Sequence, residues 1–165
     1  MRTVNTHDDD AGLAEELKKH HAVTIDDLAQ LSGDLAAAAA SDGDVASAKR
    51  ALEEWIIHVL LPHAEEEEAT TYRAAAELPE GRLLIRSMLA EHVLIRQTAA
   101  HMSAAQDPVE AGTYGRALFD IFDSHQRKEN DMILPLLVDS STVSLIEIMH
   151  GIGDFGMPTE RAMER

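Results

Sequence analysis

Six residues of this chain have the types and the spacing to form a metal centre in a helical protein. They are His21, His63, Glu67, His92, His125 and Glu129. Each glutamate follows a histidine by four residues, which puts both side chains of a pair on one face of a helix. Acidic residues make up 30 of the 165 residues, so this spacing alone is weak evidence. The stronger signal is that both glutamates fall on apolar helix faces, where an unpaired carboxylate would cost roughly several kcal/mol.

Long stretches rich in Ala, Leu, Glu and Arg predict the helices that must position these residues. Four helices are expected over residues 11–40, 44–76, 80–105 and 108–137, and a short fifth over 142–150. The short turns between them predict an all-α fold, an up-down-up-down antiparallel four-helix bundle with a short C-terminal helix. We expect a single domain over residues 1–165, with the bundle at about 10–137 and a flexible tail at the end.

Two local features refine this prediction. The acidic residues Asp8 to Asp10 are candidates to cap the first helix. Pro62 lies inside the second helix and should kink or restart it. The apolar stripe of that helix is predicted to continue from Glu67 through Thr70 and Ala74.

The turns also predict that the histidines meet in one layer of the bundle. His21 and His63 are each 21 residues from the turn near residue 42, so they should face each other. The offsets of His92 and His125 from their turns differ by about one helical turn or less, at about 1.5 Å per residue. All four imidazoles should therefore converge with the two carboxylates.

The composition limits the kind of metal. The chain has no cysteine, which excludes thiolate ligands and disulfides. Imidazole and carboxylate ligands suit iron, manganese or zinc, and two carboxylates suit a pair of metals better than one. The ferritin-like arrangement would need Glu-x-x-His on two helices. Its one instance here, Glu147 with His150, lies outside the main bundle.

Charge makes several kinds of partner unfavourable. The formal net charge is -16 at pH 7, which repels phosphate backbones and anionic lipid surfaces. We expect no nucleic acid and no membrane as partners. The N-terminal residues show no signal-peptide pattern, so a cytoplasmic protein is predicted.

A family resemblance rests on segments of all four main helices. They are Lys19-His20-His21, Leu61-Pro62-His63 with the run from Glu65 to Glu68, Glu91-His92, His125-Gln126-Arg127-Lys128-Glu129, and Leu134-Pro135-Leu136-Leu137. Through them the chain resembles the hemerythrin-like family, also called the HHE cation-binding domain. The resemblance implies a non-haem di-iron centre with an oxo or hydroxo bridge, in which Glu67 and Glu129 bridge the metals. It also implies that His21, His63, His92 and His125 are terminal ligands.

One departure concerns the third helix, where the oxygen-carrying hemerythrins have two histidines four residues apart. Here Met88 and Arg96 stand four residues before and after His92. The resemblance therefore leaves one ligand open, and its alternatives are Glu66, Glu91, His20, Tyr72 or water. This favours sensing of iron or oxygen, or peroxide and nitric-oxide chemistry, over reversible oxygen carriage.

The functional expectation is a protein that binds oxygen or a related small ligand such as peroxide, as a monomer or homodimer. An enzymatic role would be peroxide breakdown of the catalase or peroxidase kind. The alternative is a structural or protein-interaction bundle that binds zinc or no metal.

Other candidate signals are weaker. His7, His58 and His101 are expected off the metal layer, and the acidic run from Glu65 to Glu68 is in part a solvated face. The pattern from Gly151 to Gly156 matches a dinucleotide-binding glycine motif but lacks the preceding strand that this motif needs.

Overall fold

The computed structural model describes residues 6–41 and 43–150, and its regular elements are all helical. The first arm of the bundle is α1 (Thr6–Ala40). The second arm consists of α2 (Val45–Trp55), a π-helical turn (Ile56–Leu60), α3 (Leu61–Ala69) and α4 (Thr71–Glu77). The third is α5 (Gly81–Ala104). The fourth consists of α6 (Pro108–Lys128), a second π-helical turn (Glu129–Ile133) and α7 (Leu134–Val138), and α8 (Leu145–His150) follows.

The predicted all-α bundle is confirmed, and α1 and α5 both pack along α6. The up-down-up-down order is compatible with the four arms and their short turns, and it stays a prediction. The single domain and the cytoplasmic location also stay predictions. The glycine pattern from Gly151 to Gly156 and the predicted flexible tail lie outside the described residues.

Within the described part of the chain, no helix combines the length and the apolar character needed to cross a membrane.

The start of the first helix differs from the prediction. α1 begins at Thr6, so Asp8 to Asp10 lie inside the helix and do not precede it. Asp10 is buried, and its carboxylate accepts hydrogen bonds from the Ser144 hydroxyl at 3.1 Å and the Ile146 amide at 2.9 Å. This carboxylate therefore satisfies an amide at the start of α8, where free N–H groups need an acceptor.

The second arm is interrupted twice, and only one interruption was predicted. Pro62 stands in the first turn of α3, directly after a π-helical turn. Proline cannot donate the backbone hydrogen bond of a continuous helix, which accounts for this interruption. A second break lies at Thr70, whose backbone leaves the helical region at φ -116° and ψ -94°. The break shifts the buried face, so Tyr72 and Ala75 are buried and the predicted core position Ala74 is only half-buried.

Two apolar clusters fill the core, one on each side of a polar layer. On α5, Met88 belongs to one cluster, His92 follows, and Ile95 belongs to the other. The fourth arm shows the reverse order, from Phe122 through His125 to Ile133. The polar layer therefore lies in the middle of the bundle, enclosed by packed side chains.

Candidate metal centre

The polar layer contains the six residues singled out by the sequence, each supplied at a different point of the four arms. His21 comes from α1, His63 and Glu67 from α3, His92 from α5, His125 from α6, and Glu129 from the start of the second π-helical turn. His125 is fully buried, and Glu129 exposes 3% of its surface. The layer is thus largely buried, although His63 is only half-buried, and it concentrates ionisable groups.

The first donor group contains His21 and His63 together with both glutamates. The Nε2 atom of His63 lies 2.9 Å from Oε1 of Glu67. The Nε2 atom of His21 lies 3.7 Å from the same oxygen and 3.8 Å from Oε2 of Glu129. One donor atom from each of the four residues falls within 4.8 Å of the others, which is close enough to surround a single cation.

The second donor group contains His92 and His125, again with both glutamates. The Nε2 atom of His92 lies 3.5 Å from Oε2 of Glu67, and that of His125 lies 3.1 Å from Oε1 of Glu129. These four residues also bring donor atoms within 4.8 Å of one another. Each glutamate therefore directs one oxygen to the first histidine pair and the other oxygen to the second, which is how a carboxylate bridges two metals.

One oxygen of each carboxylate has no hydrogen-bond partner among the described residues and is suited to a cation. Within the described part of the chain, Oε2 of Glu67 and Oε2 of Glu129 are two of three buried side-chain polar atoms that have no hydrogen-bond partner, and Trp55 Nε1 is the third. A buried carboxylate oxygen without a partner is costly, and a bound cation would satisfy it. The donor set fits a pair of metals that prefer nitrogen and oxygen ligands.

The two carboxylates differ in their affinity for a proton. Burial, reinforced by the charge of Glu129, raises the pKa of Glu67 well above its ordinary value. Burial opposes ionisation of Glu129 as well, but the hydrogen bond and charge of His125, together with His21 and Tyr72, lower its pKa to about 2. The pair therefore favours a protonated Glu67 and an ionised Glu129 where no metal neutralises it.

Three imidazoles are held from behind by an acceptor at Nδ1. His92 contacts Oε1 of Glu68 at 2.7 Å, His125 contacts Oε2 of Glu91 at 2.9 Å, and His21 contacts Oδ1 of Asn130 at 2.6 Å. Because these oxygens only accept hydrogen bonds, the Nδ1 atoms carry the proton. The Nε2 lone pairs of all three rings then face the centre, as metal ligation requires.

Two further buried groups complete the layer. The Tyr72 hydroxyl lies 2.9 Å from Nε2 of His125 and donates to Oε1 of Glu129, and its ring stacks on His92 at 5.1 Å. The Gln126 amide donates to Nε2 of His63 at 3.0 Å. Tyr72 thus belongs to the second donor group, and Gln126 lies beside the first.

The chain was compared with known protein families and known structures. The family model of the hemerythrin HHE cation-binding domain matches residues 12–137. The chain belongs to this family. Its matched segment includes all six residues of the layer, and the predicted resemblance is confirmed. No curated protein and no solved structure gives a significant match to the chain.

Several residues around the centre were missed or misjudged in the sequence. Glu68 was assigned to a partly solvated face, yet it binds His92 and also accepts from Arg96 at 2.9 Å. Arg96 stands four residues after His92, where the oxygen carriers of the family have a second histidine. This spacing puts Arg96 and His92 on one helix face and could have predicted that both contact the same carboxylate. Asn130 directly follows Glu129, but nothing in the spacing indicated that its side chain would reach α1.

The alternatives for an additional ligand are separated by the geometry. Tyr72 reaches the centre, whereas Glu91 lies behind His125 and pairs with Lys128. The ring of His20, an exposed residue, packs against the ring of His63 at 5.7 Å. His7, His58 and His101 are exposed, as expected for residues off the metal layer.

Proposed function

We propose that this protein holds a non-haem iron pair between its four arms and binds oxygen or a related small ligand there. His21 and His63 would hold one iron, His92 and His125 the other, and Glu67 and Glu129 would bridge them. The observation that carries this proposal is that each carboxylate directs one oxygen to each histidine pair. A bound iron pair supplies redox and Lewis-acid chemistry toward oxygen, peroxide or nitric oxide.

The chain contributes orientation and exclusion of water. The acceptors behind His21, His92 and His125 hold these rings in the tautomer that presents Nε2 to the metals. Apolar side chains close the layer from both sides, which strengthens every charge interaction within it. Binding of cations would release the proton that Glu67 carries in the metal-free protein.

The surroundings of His92 favour a sensing or detoxifying role over reversible oxygen carriage. Arg96 is engaged with Glu68, and Met88 is a buried apolar side chain, so neither supplies a second imidazole from α5. The nearest additional donor is the Tyr72 hydroxyl. An oxygen donor in place of a nitrogen donor makes peroxide breakdown the enzymatic activity to test first.

The test is the metal content by mass spectrometry together with the visible spectrum. Wild type and His125→Ala would be purified aerobically without added metal, with His101→Ala as the control because His101 is an exposed histidine away from the centre. We expect about two irons per chain and near-ultraviolet and visible absorption in wild type and in the control. His125→Ala should keep at most one iron and lose the absorption.

The opposite result would support the structural alternative. Zinc in place of iron, or no metal in any of the three proteins, would contradict the proposal and leave a helical bundle with a structural or protein-binding role. If iron is found, peroxide consumption and the reversible change of the spectrum on removal of oxygen distinguish an enzyme from an oxygen-binding protein.

A further inference from the structure

The first cation position lies between His21 and His63, and the second lies between His92 and His125. The two positions differ in the charge of the groups that contact Nδ1 of their histidines. At the second position both imidazoles donate to carboxylates, His92 to Glu68 and His125 to Glu91. At the first position His21 donates to the neutral amide of Asn130. The difference lies outside the donor atoms and depends on residues that do not face the metals.

Each carboxylate behind the second position is held ionised by a cation of its own. Arg96 donates to the same Glu68 oxygen that His92 contacts, at 2.9 Å. Lys128 pairs with the Glu91 oxygen that His125 does not use. The two ion pairs help to hold the carboxylates beside the imidazole N–H groups.

At the first position the Asn130 amide behind His21 is neutral, and a buried amide contacts His63, on which the charge of Glu66 also acts. The Gln126 amide is 2% exposed and donates to Nε2 of His63, the atom that would bind the metal. Its carbonyl oxygen lies 3.3 Å from the Thr24 hydroxyl, whose single proton also has the His21 carbonyl oxygen within reach at 2.9 Å. A cation entering this position must displace the amide. At the second position the Tyr72 hydroxyl lies 2.9 Å from Nε2 of His125 and 3.4 Å from Nε2 of His92, but it donates its proton to Glu129 and could itself serve as an oxygen donor to the cation.

A carboxylate that accepts the Nδ1 proton makes the opposite ring nitrogen a stronger base and a stronger ligand. We propose that the His92–His125 position binds its cation first and more tightly, and that Glu68 and Glu91 are the positioning residues that create this order. The His21–His63 position is filled second. The inference rests on the proposed function only in requiring two cations, and it does not depend on iron or on the small ligand.

The order can be measured with cobalt, which reports its coordination through absorption. The full-length protein would be stripped with a chelator and titrated with Co²⁺, followed by calorimetry and by visible absorption. Wild type should show two steps separated by roughly tenfold or more in affinity. We call binding at the His92–His125 position the tight step and binding at the His21–His63 position the weak step. His21→Ala should keep the tight step, and His92→Ala should lose it.

Glu91→Gln tests the charge without removing the acceptor, because the glutamine oxygen can still accept from His125. We expect this variant to weaken the tight step by roughly 10- to 100-fold and to leave the weak step unchanged. Glu65→Gln is the matched control, since it removes the same charge from an exposed residue of α3 that has no contact with an imidazole. It should leave both steps as in wild type.

Asn130→Asp tests the inference in the opposite direction and covers the case in which Glu91→Gln does not fold. A carboxylate behind His21 should tighten the weak step and bring the two affinities together. Equal affinities in wild type would overturn the inference. A loss in Glu91→Gln no larger than in Glu65→Gln would also overturn it, as would an unchanged weak step in Asn130→Asp.

The failure of the proposed function gives a different result. A protein that binds two cobalt ions in order but acquires no iron during aerobic purification would retain this inference and lose the iron proposal. A protein that binds no cobalt at all would lose both.

Discussion

The apolar cluster around Leu118 and the polar layer beside it are stabilised in different ways. The cluster that includes Leu28, Leu52 and Leu118 is fully buried and is stabilised by contact between hydrocarbon side chains. The polar layer is somewhat less buried, with His63 half-buried, and contains two carboxylate oxygens without a hydrogen-bond partner among residues 6–41 and 43–150. The comparison teaches that packing alone can position the helices, whereas the stability of the layer depends on what binds there.

The largest expected effect is the loss of stability when the metal is removed from the polar layer. Removal of the metal by a chelator should lower the free energy of unfolding, because the native state binds cations that the unfolded chain does not. The loss should be about 4 kcal/mol for each cation position where the metal stands at 1,000 times its dissociation constant. Thermal unfolding followed by circular dichroism would show it, and an unchanged melting temperature after verified metal removal would contradict the proposed centre.

The next largest effect is the loss of stability when a side chain is removed from the apolar cluster around Leu118. Leu118→Ala removes a fully buried side chain and should cost about 2–5 kcal/mol. We expect the same cost with and without metal, and an unchanged number of metals per chain. Leu83→Ala, at a side chain on α5 that is 76% exposed, is the control and should stay within about 0.5 kcal/mol of wild type. A cost that appeared only in the metal-loaded protein would show that the two regions are not independent.

A smaller effect of opposite sign is expected for Glu67→Gln in the metal-free protein. The folded-state pKa of Glu67 is raised above its ordinary value of 4.5. Its contribution to stability is therefore complete below pH 4.5 and is lost as the pH rises through the folded-state pKa. Glutamine avoids this loss, so the metal-free variant should be more stable than wild type at pH 7.5.

The measurement for Glu67→Gln is denaturant unfolding of the metal-free proteins at pH 7.5 and pH 4, with Glu65→Gln as the control. The advantage of the variant should shrink at pH 4, where wild-type Glu67 is protonated as well. The same substitution should impair metal binding at both positions. A variant less stable than wild type at pH 7.5 would contradict the cost assigned to this buried carboxylate.

The two regions also differ in how far the sequence predicts them. The histidines and glutamates of the layer recur at helical spacing, so their convergence could be predicted from the helix register and the turn positions. The break at Thr70 could not, because neither a proline nor a glycine marks it in the sequence, and Tyr72 is buried directly after it. The contact of His21 with Asn130 joins residues 109 positions apart, so it depends on the relative rotation of two helices.

The most direct test of a shared two-metal centre is the number of irons per chain in two variants that remove different parts of it. His21 contributes to one donor group, whereas Glu129 contributes to both. We predict about two irons per chain in wild type, about one in His21→Ala, and none in Glu129→Ala. A Glu129→Ala protein that keeps as much iron as His21→Ala would contradict the bridging role of Glu129.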